Sequence, residues 1–356
     1  SAALIALHSY CNWNLGWSST IDACEGGPFG FGWDGIECDS TGHHIEQIDL
    51  YNRDVSYVPR CNLTGLDEES NFDPSVLTRL TSVTILGCGL HGTLPTKLGA
   101  FPSLTSVNFD NNELEGSFTN YTFVSPTLAT LRLNSNQLSG QIPASLVDNE
   151  RLVELDLSYN KLSGDIVSKL SPNAALVYVD LSGNRFFGPL PVFGTESHLS
   201  TLKVSSNNFS GTIPSSIGTF GTEGNGLVIF HIENNQLSGT LPSTISELTS
   251  LLEFDVSDNL LTGHLPSLHT MPAVLNGADI ELNGNTFACP VPSTASIYDS
   301  AVCTCQAGSF GSKGGLDGND WNASACREAD DSLSVSCAIL SRFTCTACSP
   351  GHYSTA

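Results

Sequence analysis

Leu152-Val153-Glu154-Leu155-Asp156-Leu157-Ser158-Tyr159-Asn160-Lys161-Leu162-Ser163-Gly164 sets leucine at alternate positions, then an asparagine, a further leucine and a glycine. Alternation of this kind points Leu155 and Leu157 into a core and their neighbours outward, as on a short half-buried strand. The same register recurs ten times, anchored at Arg53, Cys88, Asn112, Asn136, Asn160, Asn184, Asn207, Asn235, Asn259 and Asn285. Repeats at a period of 20–50 residues imply stacked units, each too small to bury its own apolar face. The expected role of each asparagine is to end a strand and bond backbone groups of the neighbouring turn.

Three intervals between anchors are longer than the rest, placing expected insertions at about Val55–Asp73, Thr219–Gly226 and His269–Gly277. After most anchors comes an Ile-Pro or Leu-Pro pair, as at Ile142-Pro143 and Leu241-Pro242. Proline fixes φ and drives its predecessor toward an extended conformation, so each turn continues into a straight segment.

The full unit, L-x-x-L-x-L-x-x-N-x-L-x-G-x-[IL]-P, resembles the plant-type leucine-rich repeat of polygalacturonase-inhibiting proteins and receptor-kinase ectodomains. Trp33-Asp34-Gly35-Ile36-Glu37-Cys38 resembles the N-terminal cap of that family. The resemblance implies an α/β solenoid, curved, of about ten repeats. A short parallel β-sheet would line its concave face, and disulfide-stapled caps would close its ends. Residues 1–44 are then an N-terminal cap, 45–292 the solenoid and 293–356 a cysteine-rich module. Cys345-Thr346-Ala347-Cys348-Ser349-Pro350-Gly351-His352-Tyr353-Ser354 is similar to the C-x-x-C-x-x-G-x-Y-S modules of ephrin-receptor and epidermal-growth-factor-like proteins, and is expected to continue past Ala356.

Acidic residues outnumber basic ones 36 to 13, a formal charge of −23. Nucleic-acid and anionic-membrane surfaces need clustered Lys and Arg, so both are excluded as partners. No run of ~18–20 apolar residues is present for a transmembrane helix, so no direct membrane insertion is expected of this segment. Four sequons, at Asn62, Asn120, Asn208 and Asn322, point to N-linked glycans and an extracellular or cell-surface location.

Twelve cysteines avoid the stretch from Gly89 to Ala288. Such clustering reads as terminal staples in an oxidising compartment, made by Cys11, Cys24, Cys38, Cys61, Cys289, Cys303, Cys305, Cys326, Cys337, Cys345 and Cys348. Five cysteines lie near one end and seven near the other, leaving one over at each. At the first end either Cys88 is a buried free thiol, with Cys24–Cys38 and Cys11–Cys61 as pairs, or a leftover cysteine bonds another subunit. Zinc at Cys303, Cys305, Cys345 and Cys348 is disfavoured because the paired C-x₂-C spacing is not met.

Signals for an enzyme are absent: no H-E-x-x-H, G-x-S-x-G or P-loop occurs, and Gly30-x-Gly32-x-x-Gly35 lies between cap cysteines. No cofactor is expected. Asp317-Gly318-Asn319-Asp320 offers oxygens to Ca²⁺ but lacks the twelve-residue ligand series, so that reading is weak. The remaining candidate is the outward row of the sheet, where Asp156, Asp180, His231, Glu233, Glu253, Asp255, Asp279 and Glu281 form an acidic surface for a basic peptide, a basic partner or a divalent cation. The leading functional expectation is a structural or adhesive subunit of an extracellular assembly, contacting other protein subunits or copies of itself head-to-tail. The alternative is a monomeric ligand-recognition module.

Overall fold

A computed structural model describes residue 24 and residues 35–51, 61–62, 74–119, 121, 125–166, 175–191, 197–219, 226–266 and 279–288, together with the strands 302–305, 309–313, 335–338 and 343–347. It divides into two compact units, Ser1–Phe186 and Phe187–Ala356.

In the first unit the antiparallel pair Ile36–Cys38 and Ile45–Tyr51 leads into parallel strands Ser82–Leu86, Ser106–Asn108, Thr130–Arg132, Glu154–Asp156 and Tyr178–Asp180. Pairing is in step with the repeat: Leu131, Leu155 and Val179 face one another, as do Arg132, Asp156 and Asp180. The second unit carries the same ladder in Thr201–Lys203, Ile229–His231, Glu253–Asp255 and Asp279–Glu281. A further strand row follows the anchors in each unit, exemplified by Lys161–Gly164 in the first and by Asn208–Thr212, Gln236–Thr240 and Leu260–His264 in the second.

Helix among the described residues is limited to the four-residue α-turn Ala144–Val147 and the 3₁₀ turns Thr96–Ala100, Ser215–Thr219 and Ser243–Glu247. The described part is therefore a β-solenoid, and the helical half of the expected α/β label rests on these short turns alone. Their positions follow from sequence, since Pro95, Pro143 and Pro242 hold the extended residue before three of them.

Between the strand rows lies the core. Leu152, Leu155, Leu157 and Leu162 are wholly buried, as are Phe186, Phe209, Phe230 and Phe287. The anchors do what their register predicts. Asn160 Nδ2 donates to the Leu133 carbonyl of the preceding turn (2.9 Å) and Asn160 Oδ1 accepts the Leu138 N–H (2.9 Å). Asn136, Asn184, Asn259 and Asn285 repeat both bonds one turn on. One amide thus satisfies a buried donor and a buried acceptor that no strand partner reaches. Cys88 lacks an amide, and its Sγ lies 3.3 Å from the Leu86 carbonyl oxygen instead. Just before the anchors the backbone turns left-handed, with φ of 52° at Tyr159 and 65° at Gly183. Gly183 serves a second purpose there: a Cβ would stand 2.7 Å from Cδ1 of Tyr159, whose ring lies over it.

The Cys24–Cys38 disulfide is formed, and Cys88 is a buried free thiol. Cys303 and Cys337 occupy facing register positions on antiparallel strands. Arg53, Cys11, Cys289, Cys326 and Cys348, the sequons at Asn120 and Asn322, the Asp317–Asp320 loop, and most or all of each expected insertion lie outside the described residues.

Candidate functional site

Both units present an acid-rich strand face, and the chemistry of the two differs. In the first, Arg132 stands on Thr130–Arg132 between strands that bring acids to either side. Its Nε donates to Asp110 Oδ2 (3.2 Å) and its Nη1 to Glu154 Oε1 (2.7 Å), while Nη2 lies 3.7 Å from Asp156 Oδ2. Asp110 and Asp156 are each 4% exposed, so this is an ion network sunk into the sheet rather than a solvated surface pair.

The remaining oxygens of both aspartates are bonded as well. Asp110 Oδ1 accepts the Asn134 N–H at 2.9 Å, and Asp156 Oδ1 accepts the Ser158 N–H and hydroxyl at 3.1 and 2.7 Å. Burial raises the Asp110 carboxyl above its ordinary value, against the pull of the Asn134 N–H and Arg132. Burial also works against the Arg132 charge, and Asp110 and Glu154 outweigh it, leaving the guanidinium more basic than usual. Tyr178, on the next strand, is pushed up to about 12 by burial and by the charges of Asp180 and Asp156.

Among its described residues the second unit has no such hub. His231 Nε2 stands 3.3 Å from Glu253 Oε2, and the Glu253 side chain is 46% exposed. Register sets His231 between Lys203 and Asp255, and Asp255 beside Glu281. Two positions beyond His231 and Glu281, the shielded acceptors Glu233 Oε2 and Asn283 Oδ1 accept no hydrogen bond. A shielded acceptor without a donor is costly, so a ligand whose N–H groups reach these oxygens once the side chains turn outward relieves that cost.

One motif was overlooked in the sequence. Asp156-Leu-Ser158, Asp180-Leu-Ser182 and Asp255-Val-Ser257 each close a local bond from aspartate Oδ1 to the N–H two residues on. Ser257 Oγ also donates to Asp255 Oδ1 at 2.6 Å. These aspartates hold the strand exit, as Asx turns do. Of the seven acids and one histidine expected to make one surface, Asp156 and Asp180 lie in the first unit, and His231, Glu233, Glu253, Asp255, Asp279 and Glu281 lie in the second. The Arg132 hub also went unread, although its signal was present: Asp110, Arg132 and Glu154 recur at 22-residue steps, close to one repeat.

No group of three His, Cys, Asp or Glu side chains is placed to hold a metal among the described residues. A recess of about 260 Å³ bounded by Thr93, Glu115, Phe118 and Tyr121 has a single carboxylate and no histidine or cysteine. Burial raises the Cys88 thiol to about 11, which keeps it protonated and, with 5% exposure, out of reach of another chain's sulfur.

Leucine-rich-repeat models match residues 127–149, 198–220 and 226–248, and a second such model matches 148–171. The chain carries leucine-rich repeats. No curated protein shows a significant match to it in sequence. Among solved structures it is similar to a TDR receptor, at 28% identity and a TM-score of 0.52 over 64% of this chain and 38% of that one. It is also similar to the Arabidopsis receptor kinase HAESA, solved with the peptide hormone IDA and the co-receptor SERK1, at 26% identity and a TM-score of 0.56 over 84% and 50%. A plant ice-binding protein shares the fold, with 24% identity and a TM-score of 0.58 over 82% and 94%. The chain thus spans half or less of the two receptors' length. No helix among the described residues is long and apolar enough to cross a membrane.

Proposed function

We propose that this chain is a non-catalytic, extracellular recognition module that binds a basic peptide or protein surface through the strand face of its second unit. The observation that carries the reading is the pair of shielded, unbonded acceptors, Glu233 Oε2 and Asn283 Oδ1, beside the exposed carboxylate of Glu253 and the half-buried Glu281. Guanidinium and ammonium groups supply several N–H donors each and match both the missing bonds and the charge. Likeness to a receptor solved with a peptide hormone and a co-receptor supports a protein ligand by analogy. Residues 1–44 are then an N-terminal cap and 293–356 a cysteine-rich module on either side of the repeats of 45–292.

Recognition is favoured over a disulfide-linked assembly of subunits. Cys88 is a buried free thiol and so is not placed to supply the N-terminal sulfur of a head-to-tail linkage, which supports this reading. The test is calorimetric titration with tetra-arginine and tetra-glutamate peptides at low salt. Only the cationic peptide should bind, and Glu253→Gln with Glu281→Gln should weaken it about tenfold, as expected for loss of two charge-assisted contacts. Equal binding of both peptides, or no loss in the double variant, sinks the reading.

A further inference from the structure

The strand row that follows the anchors in the second unit contains an exposed aromatic ring. Phe187 is 52% exposed and makes no ring contact among the described residues. Its register partner on the adjacent parallel strand is Asn208. Register partners in a parallel pair stand about 4.8 Å apart with their side chains on the same side of the sheet. Asn208 is exposed too, whereas the next residue, Phe209, is wholly buried on the opposite side. Asn208-Phe209-Ser210 is also a glycosylation sequon.

We infer that Asn208 carries an N-linked glycan whose first N-acetylglucosamine lies over the Phe187 ring. The two observations are independent, since one is a modification motif on an accessible side chain and the other an exposed apolar group beside it. In the coupling step Asn208 Nδ2 attacks the anomeric carbon of N-acetylglucosamine carried on a polyprenyl-diphosphate oligosaccharide. A C–N bond forms and the C–O bond to diphosphate breaks. The diphosphate leaves with the electron pair, and one amide proton passes to a base. The sugar's axial C–H face then shields the ring from water, as an apolar surface meeting an aromatic face does. The glycan would make this surface of the unit unavailable for stacking against another protein.

The test uses the full chain expressed behind a secretory leader in glycosylating cells. Release with peptide:N-glycosidase in ¹⁸O-water should leave labelled aspartate at position 208 in most copies, read by peptide mass spectrometry. An unlabelled Asn208 overturns the inference. Enzymatic deglycosylation should then lower the melting temperature of the native chain by about 2 °C. The same treatment should move Phe187→Ser no more than it moves Asn208→Gln, the control that lacks this one glycan. An equal drop in Phe187→Ser would overturn the stacked arrangement.

Discussion

Arg132 in the first unit and His231 in the second occupy equivalent places on their repeats, each with two acids on the following strand, yet they make opposite surfaces. Around Arg132 the acids are bonded and matched by a permanent charge, with Asp110 and Asp156 buried. Around His231 the acids are only partly buried, the imidazole stands 3.3 Å from the Glu253 carboxylate, and two acceptors lack donors among the described residues. A formal count of negative charge would rank the two alike. What separates them is how many lone pairs the protein has already used, which is why the second face is the one proposed to take a cationic ligand.

The largest effect expected is on the spine that supports both faces. Asn160→Ala leaves the Leu138 N–H buried without a partner, at about 1–3 kcal/mol, and leaves the Leu133 carbonyl with its Asn136 bond alone. Urea unfolding should show a loss of about 3 kcal/mol, and a loss under 1 would mean that the ladder is decorative. Next is Arg132→Met, which strands Asp110 and Asp156. Breaking a buried pair costs about 3–5 kcal/mol, and partial exposure of Arg132 reduces this to about 2. Asp110 already has a raised pKa in the fold. A group of that kind contributes stability present below its unfolded pKa and lost as pH rises through the folded one. The variant should therefore be less destabilised at pH 4 than at pH 7, and equal losses would break the account of the hub.

Tyr178 sharpens the same side of the comparison. With its pKa raised to about 12 and an ordinary value of 10, its contribution holds below pH 10 and is lost between 10 and 12. Absorbance at 295 nm should show one tyrosine ionising late. That late step should be absent in Tyr178→Phe and should move to lower pH in Asp180→Asn. The smallest effect belongs to the other face: His231→Gln should change stability by less than about 0.5 kcal/mol, because exposed ion pairs contribute little. A larger loss would make His231 a structural residue and erase the contrast.

Much of this was legible in the residues. The period of 24, the alternating leucines and the recurring asparagine dictate stacked parallel strands and an amide ladder, because both depend on local spacing alone. The buried state of Cys88 followed from its place at an anchor. The site was harder to read. Asp156, Asp180 and Asp255 look like surface acids in a column, yet each bonds the N–H two residues on, a task that depends on the turn the backbone makes there. Arg132 finds its partners on neighbouring repeats, so its role depends on stacking register and side-chain reach. The low helical content of the described residues has a similar origin: the connections opened by Pro95, Pro143 and Pro242 are short, so each closes as a single turn rather than a long helix.

The most direct test of the account is a titration of the isotopically labelled chain with tetra-arginine peptide at low ionic strength, followed through side-chain and amide resonances by nuclear magnetic resonance. The account predicts shifts centred on His231, Glu233, Glu253 and Glu281, little change at Arg132 and Tyr178, and loss of the response in Glu253→Gln with Glu281→Gln. Shifts centred on the Arg132 network, or an unchanged response in the double variant, would contradict it.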